Sequence, residues 1–402
     1  MKIAEFETFV VANPPPHFGG RYFLFVKLVT DGGTVGYGEV YCATFGPHTV
    51  ARMIEDVCER HVVGTDARQI ELLGRRIYGS GYTARPDASL GAVASGIEMA
   101  CWDVVGKELG QPVHQLLGGR VHERLRTYTY LYPRADDGPD AFADNRVYRD
   151  PELAAERAAQ EVARGFTGVK FDPAGPYTVV DGRQPSLEAL DRTEAFVRLI
   201  REAVGDRADL LVGTHGQFTP SGALRLARRI EPYDPMWFEE PTPPENPAAM
   251  ATVAAGTSIP IATGERLTTP HEFARVLEAG AASILQPNAG RCGGISAGRK
   301  IAAIAEVAGA QLAPHLYCGP IVAAANIAIA VGIPNFAILE AIEDFGGFHA
   351  ELLAQPIRWE DGYVIPSDRP GLGHDLDEEV ARAHPYEGDE LHLSMQETPE
   401  AR

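Results

Sequence analysis

The sequence predicts an α/β protein in which a (β/α) barrel follows a smaller N-terminal α+β domain. Two observations carry this. The chain has 402 residues, too many for one ordinary core and suited to a barrel of roughly 250 residues plus a second domain. Its rhythm also changes near residue 126, from strands followed by helices to short apolar runs alternating with amphipathic stretches.

Residues 2–11 and 22–29 read as strands, and the DGG at 31–33 offers a tight turn into TVGYGEV, so a meander opens the protein. Residues 47–79 and 88–110 are mostly helical by apolar spacing, with Ala92, Ile97, Ala100, Cys101, Val104 and Val105 at helix-like intervals. These elements define a first domain over about 1–125.

The barrel is expected over 126–350. Its strands are TYTYL (127–131), TGVKF (167–171), ADLLVG (208–213), MWFEE (236–240), IPIATGE (259–265), SILQPN (283–288), QLAPH (311–315) and FAILE (336–340). Two polar insertions, 133–150 and 172–186, follow the first two strands and belong over the C-terminal mouth, where barrel chemistry takes place. Tyr177 lies in the second of them. Residues 351–402 are expected to pack back on the first domain, with the last dozen frayed.

Composition narrows the function. Hydrophobic residues make up 45% and charged residues 23%, an ordinary folded composition. The formal net charge of −19 repels nucleic acid and anionic lipid, so neither is an expected partner, while a metal and local Lys/Arg can still create a pocket for an anionic substrate. The five cysteines are scattered without a CxxC pair, which fits free thiols in a reducing cytoplasm. The N-terminus shows neither a signal peptide nor a membrane span.

Most barrel strands close on a residue able to do chemistry: Lys170 and Asp172, His215, Glu239 and Glu240, Glu265 and Arg266, Asn288, His315 and Glu340. Strand alternation puts Lys170 and Asp172 on one face and lets only one of Glu239 and Glu240 face the axis. Carboxylates converging from neighbouring strands suit a hard cation such as Mg²⁺, which could bind a substrate carboxylate and stabilise the enediolate left by proton loss. Flanking Lys and His could move the protons. Taken singly each residue has a plainer explanation: a strand-end Glu is more often a salt-bridge partner, and Asn288 after Pro287 reads equally as a turn. The joint pattern points to catalysis.

The motifs VKFDP, FEEPTPPEN, ATGERL, ILQPNAGRCGGI, APHLYCGP and DRPGLG resemble the enolase superfamily, mandelate racemase branch, and are most similar to its galactonate dehydratase-type sugar-acid dehydratases. The resemblance covers nearly the whole chain. It implies an α+β capping domain over a (β/α)7β TIM-like barrel, Mg²⁺ as cofactor, and a homo-oligomer. By position it implies Glu239 and Glu265 as metal ligands, His215 as general acid, His315 as general base, Lys170 near the substrate carboxylate, and Glu340 on the substrate or intermediate.

The chain departs from the family pattern at two positions. Gly213 stands where the family has its first metal-ligating Asp, and Asn288 stands where it pairs an Asp with the seventh-strand histidine. Asp172, on the strand beside Gly213, is expected to supply the missing carboxylate, with His215 as the competing ligand. Asn288, Tyr177, His17 and Arg21 are expected to contact substrate, and Tyr41, Thr44 and His48 are further capping-domain candidates. The expected activity is dehydration of a sugar acid to a 2-keto-3-deoxy acid. An epimerase, racemase or cycloisomerase sharing the first proton abstraction is the alternative, and a catalytically degenerate acid-binding homologue is the third reading.

Overall fold

The computed structural model describes residues 1–82, 84–134 and 146–397. Much of the 133–150 insertion therefore lies outside the described residues.

Strands β1 (Ile3–Ala12), β2 (Tyr22–Thr30) and β3 (Val35–Glu39) form the antiparallel meander. The 22-residue helix Ala88–Leu109 packs across it. It can lie close because Gly38 meets Gly96 there, and a Cβ on Gly38 would run into the Gly96 carbonyl. This helix is long and apolar enough to cross a membrane, yet most of it is buried inside the fold.

Eight strands build the barrel in chain order: β4 (Leu125–Tyr130), β5 (Gly168–Phe171), β6 (Asp209–Gly213), β7 (Trp237–Glu239), β8 (Ile261–Thr263), β9 (Ile284–Leu285), β10 (Gln311–Leu312) and β11 (Leu339–Ala341). Neighbours pair in parallel from β4 to β10, β11 pairs with β4, and a Leu312–Phe336 bridge closes the ring. All eight strands fall on the runs expected from sequence.

The connecting helices start sharply for a local reason. Pro151, Pro220, Pro247 and Pro270 each open a helix, and Asp150, Thr219, Asn246 and Thr269 before them accept backbone N–H bonds as caps. Inside the barrel Tyr128, Leu211, Trp237, Ala262, Ile284, Ala313 and Ile338 form a buried, largely apolar floor. The polar strand ends stand above it.

The C-terminal segment does two things. A hairpin of β12 (Arg358–Glu360) and β13 (Tyr363–Ile365) extends the barrel sheet by pairing antiparallel with β4. Beyond it the chain lies on the first domain, where the Leu372 N–H donates to Asp103 Oδ1 (2.8 Å) and the Tyr386 N–H to Val10 O (2.9 Å). The last described residues are tied down as well: the Val179 N–H donates to Gln396 O (2.9 Å) and the Gln396 N–H to Tyr177 O (3.1 Å). Fraying was expected from position at the end of the chain, which carries no information about backbone pairing.

Candidate active site

The site begins with register. Gly213 pairs with Glu239 and Glu239 with Ala262, which places the ends of β6, β7 and β8 side by side. Glu239 faces the axis and is fully satisfied: Oε1 accepts from Lys170 Nζ (2.7 Å), and Oε2 from Trp237 Nε1 (3.0 Å) and Gln286 Nε2 (2.8 Å). Glu240 turns the other way, onto Arg266 Nε (2.8 Å), as strand alternation required.

Glu265 lies between the two histidines. His215 Nε2 is 3.5 Å from its Oε1, and His315 Nε2 is 3.4 Å from its Oε2. Glu265 Oε2 is buried without a hydrogen-bond partner, as are Asp172 Oδ1 and His215 Nδ1. His215 holds a left-handed backbone conformation (φ 44°) uncommon for a side-chain-bearing residue, steadied by the Gly216 N–H to Glu240 O bond (2.6 Å). His215, Glu239 and Glu265 each offer a ligand atom within 4.8 Å of the others. Orphaned acceptors beside such a set fit a divalent cation.

Asp172 is outside that set. Its Oδ2 accepts from Tyr130 Oη (2.7 Å) and Tyr177 Oη and lies 3.6 Å from His215 Nδ1. Its Oδ1 occupies the space a side chain on Gly213 would need: a Cβ built there overlaps it.

The electrostatics follow from burial and crowding. Burial pushes the Glu239 carboxyl up to about 7, against the pull of Lys170. Burial also acts upward on Glu265, but His215, His315 and Lys170 outweigh it and hold this carboxyl below the usual range. Burial alone would lower Lys170, yet Glu239 and Glu340 keep the ammonium well above its ordinary value, so it stays charged. His215 is raised because Glu265 and Asp172 overcome desolvation, whereas in His315 burial wins and the ring is lowered.

Asn288 reaches His315 as expected, through its amide nitrogen: Nδ2 is 3.1 Å from Nδ1. The Gly290 N–H donates to Asn288 Oδ1 (2.8 Å), and Nδ2 also faces the His315 carbonyl (3.2 Å), so a flipped amide would lose both contacts. Nδ1 is therefore the acceptor, and the neutral ring carries its proton on Nε2, toward Glu265. Glu340 completes the group, with Oε1 3.5 Å from Lys170 Nζ and Oε2 accepting the Leu316 N–H (2.8 Å).

The capping-domain candidates fare differently. His17 bends back, its Nδ1 2.5 Å from Asn13 O, and Arg21 pairs with Glu390 at the surface (2.7 Å). The nearest opposite charge claims Arg21, and that charge sits on the C-terminal segment. Thr44 and His48 are exposed. Tyr41 is buried, stacks on His315 (6.0 Å) and lies under Arg291 (4.1 Å). Sequence reasoning passed over Tyr130, although it shares a strand face with Tyr128, and over His392, for which a lone histidine in a polar tail gave no signal.

Comparison with known proteins agrees with this geometry. Residues 16–118 match the model of the mandelate racemase/muconate lactonizing enzyme N-terminal domain, and 153–380 the enolase C-terminal domain-like model. Among curated relatives, the D-galactonate dehydratase of Ralstonia nicotianae is 36% identical over 94% of this chain and 93% of its own. The D-xylonate dehydratase of Haloferax volcanii is 33% identical over 92% and 88%. Among solved structures, the mandelate racemase/muconate lactonizing enzyme from a Sulfitobacter species superposes with a TM-score of 0.96 at 52% identity, over all of both chains. A mandelate racemase/muconate lactonizing enzyme-like protein from Roseovarius sp. TM1035 gives 0.95 at 52%, over 99% of each.

Proposed function

The chain belongs to the mandelate racemase/muconate lactonizing enzyme family, and on that premise we propose that it is a Mg²⁺-dependent dehydratase of a sugar acid. The observation that carries this is the convergence of His215 and His315 on Glu265, beside a charged Lys170 and the Glu239 carboxylate. Relatives named as dehydratases of D-galactonate, D-gluconate and D-xylonate support the reaction class. Five buried free cysteines fit a cytoplasmic location.

Glu239 and Glu265 would hold the cation, with Asp172 as third carboxylate from the gap at Gly213. A bound cation supplies Lewis-acid charge next to the substrate carboxylate, which acidifies the α-proton. Lys170 binds and orients that carboxylate. His215, with raised proton affinity, gives its proton to the departing β-hydroxyl.

The α-proton goes to His315 in the primary reading. That requires the ring proton on Nδ1, whereas Asn288 presents a donor to that nitrogen. This contact favours a second reading, in which His215 takes the α-proton on Nε2 and returns it to the hydroxyl leaving as water, while His315 donates a hydrogen bond from Nε2 to a substrate oxygen. Mass spectrometry of sugar acids incubated with the protein and Mg²⁺ tests the class. Loss of one water supports dehydration, an isomer of equal mass supports epimerisation, and unchanged acids leave a binding protein.

A further inference from the structure

The C-terminal tail runs from the capping domain to the barrel mouth. At one end the Ala12 N–H donates to His384 O (2.8 Å) and the Tyr386 N–H to Val10 O (2.9 Å), along β1. At the other end Gln396 pairs with the loop that carries Tyr177. Between them His392 is only 4% exposed, and its ring meets Tyr41, Tyr22 and Tyr317 edge-on at centroid distances of 5.2, 5.5 and 6.0 Å. Gly20 leaves room for it, since a Cβ there would overlap the imidazole. Neither ring nitrogen makes a well-formed hydrogen bond.

A buried imidazole with no well-formed hydrogen bond at either nitrogen loses most of its hydration without return unless something pairs with it. We propose that the tail completes the substrate pocket and that His392 hydrogen-bonds a hydroxyl of the acid's carbon chain beyond the two reacting carbons. This rests on the dehydratase reading. The reacting carbons must lie among Glu265, His215 and His315, and the Tyr41 ring touches both His315 and His392, which sets His392 one side chain away from the reacting centre. Only carbons further along the chain extend to it. The ring also has the right chemistry. Burial, helped by the Arg291 charge, pushes its proton affinity down to about 3, with the Gly19 backbone only partly offsetting this. A neutral imidazole offers one donor and one acceptor, which matches a hydroxyl and not a second carboxylate.

The test compares a long and a short acid by calorimetry in the presence of Mg²⁺. The long probe is whichever of D-galactonate, D-gluconate and D-xylonate the wild-type protein binds most tightly; the short probe is glycerate, which has no carbon beyond the reacting pair. His392→Phe keeps the aromatic packing and should weaken the long acid about tenfold while leaving glycerate unchanged. His392→Gln, which keeps a donor and an acceptor, should recover most of the loss. Equal effects on both acids, or none on either, overturn the proposal. A crystal of the wild-type protein with the long acid bound decides independently of variant folding: a ring nitrogen beyond hydrogen-bond distance of every hydroxyl overturns it. If the wild-type protein binds none of the three long acids, the sugar-acid reading falls and this inference with it; binding without a His392 effect sinks the inference alone.

Discussion

The Asp172 carboxylate stands where a side chain on Gly213 would begin. The two stand at the ends of neighbouring parallel strands, and one oxygen of Asp172 sits buried and unpartnered in the space that the missing Cβ leaves. The position is thus filled by a side chain from the next strand, and the exchange can be reversed by mutation.

Gly213→Asp alone should overpack the site, lowering stability by about 1–3 kcal/mol. Asp172→Ala should weaken Mg²⁺ binding about tenfold or more. Combining the two removes the clash and supplies a carboxylate from β6, so the double variant should regain affinity. Calorimetric titration of metal into all three reads the outcome. Unchanged affinity in Asp172→Ala would assign the third ligand to His215, which already lies in range.

Activity should vanish with EDTA and return with Mg²⁺, because Glu265 presents an unpaired buried oxygen beside Glu239. Full turnover by protein shown to be metal-free would end the Lewis-acid mechanism.

His215→Asn should abolish loss of water in either proton-transfer scheme. His315→Asn separates them. If His315 is the base, the variant stops exchanging the substrate α-proton with D₂O. If His215 does both transfers, exchange continues, and only the stabilisation of charge on the substrate oxygen is lost.

Asn288→Asp should move the ring proton of His315 to Nδ1, since a carboxylate accepts where the amide donates. Ring ¹⁵N shifts in histidine-labelled protein report the tautomer directly. The sign on acidity is fixed too. Burial lowers His315 now, and a carboxylate beside Nδ1 favours the imidazolium, so the acidic limb of the kcat/KM profile should shift to higher pH. A tautomer that stays the same in the variant would show that the Asn288 contact does not control the ring.

The sequence by itself determined the barrel and which polar residues stand at its strand ends. A strand alternates faces and a helix repeats its apolar stripe, so local pattern was enough to place eight strands and to point Glu239 inward against Glu240. The family motifs gave most residue types at the mouth, and the gaps at Gly213 and Asn288 were visible as substitutions. Only the tertiary structure decided what fills those gaps. The overlap of Asp172 with the Gly213 position depends on the spacing between two strands, and the tautomer of His315 depends on the Asn288 amide reaching it from 27 positions away. Tertiary structure also decided where the tail goes. His392 lies 77 positions along the chain from His315 and about 350 from Tyr41, yet it shares the Tyr41 ring with His315. No periodicity records such a contact, because it is made by packing between elements and not by the repeat within any one of them.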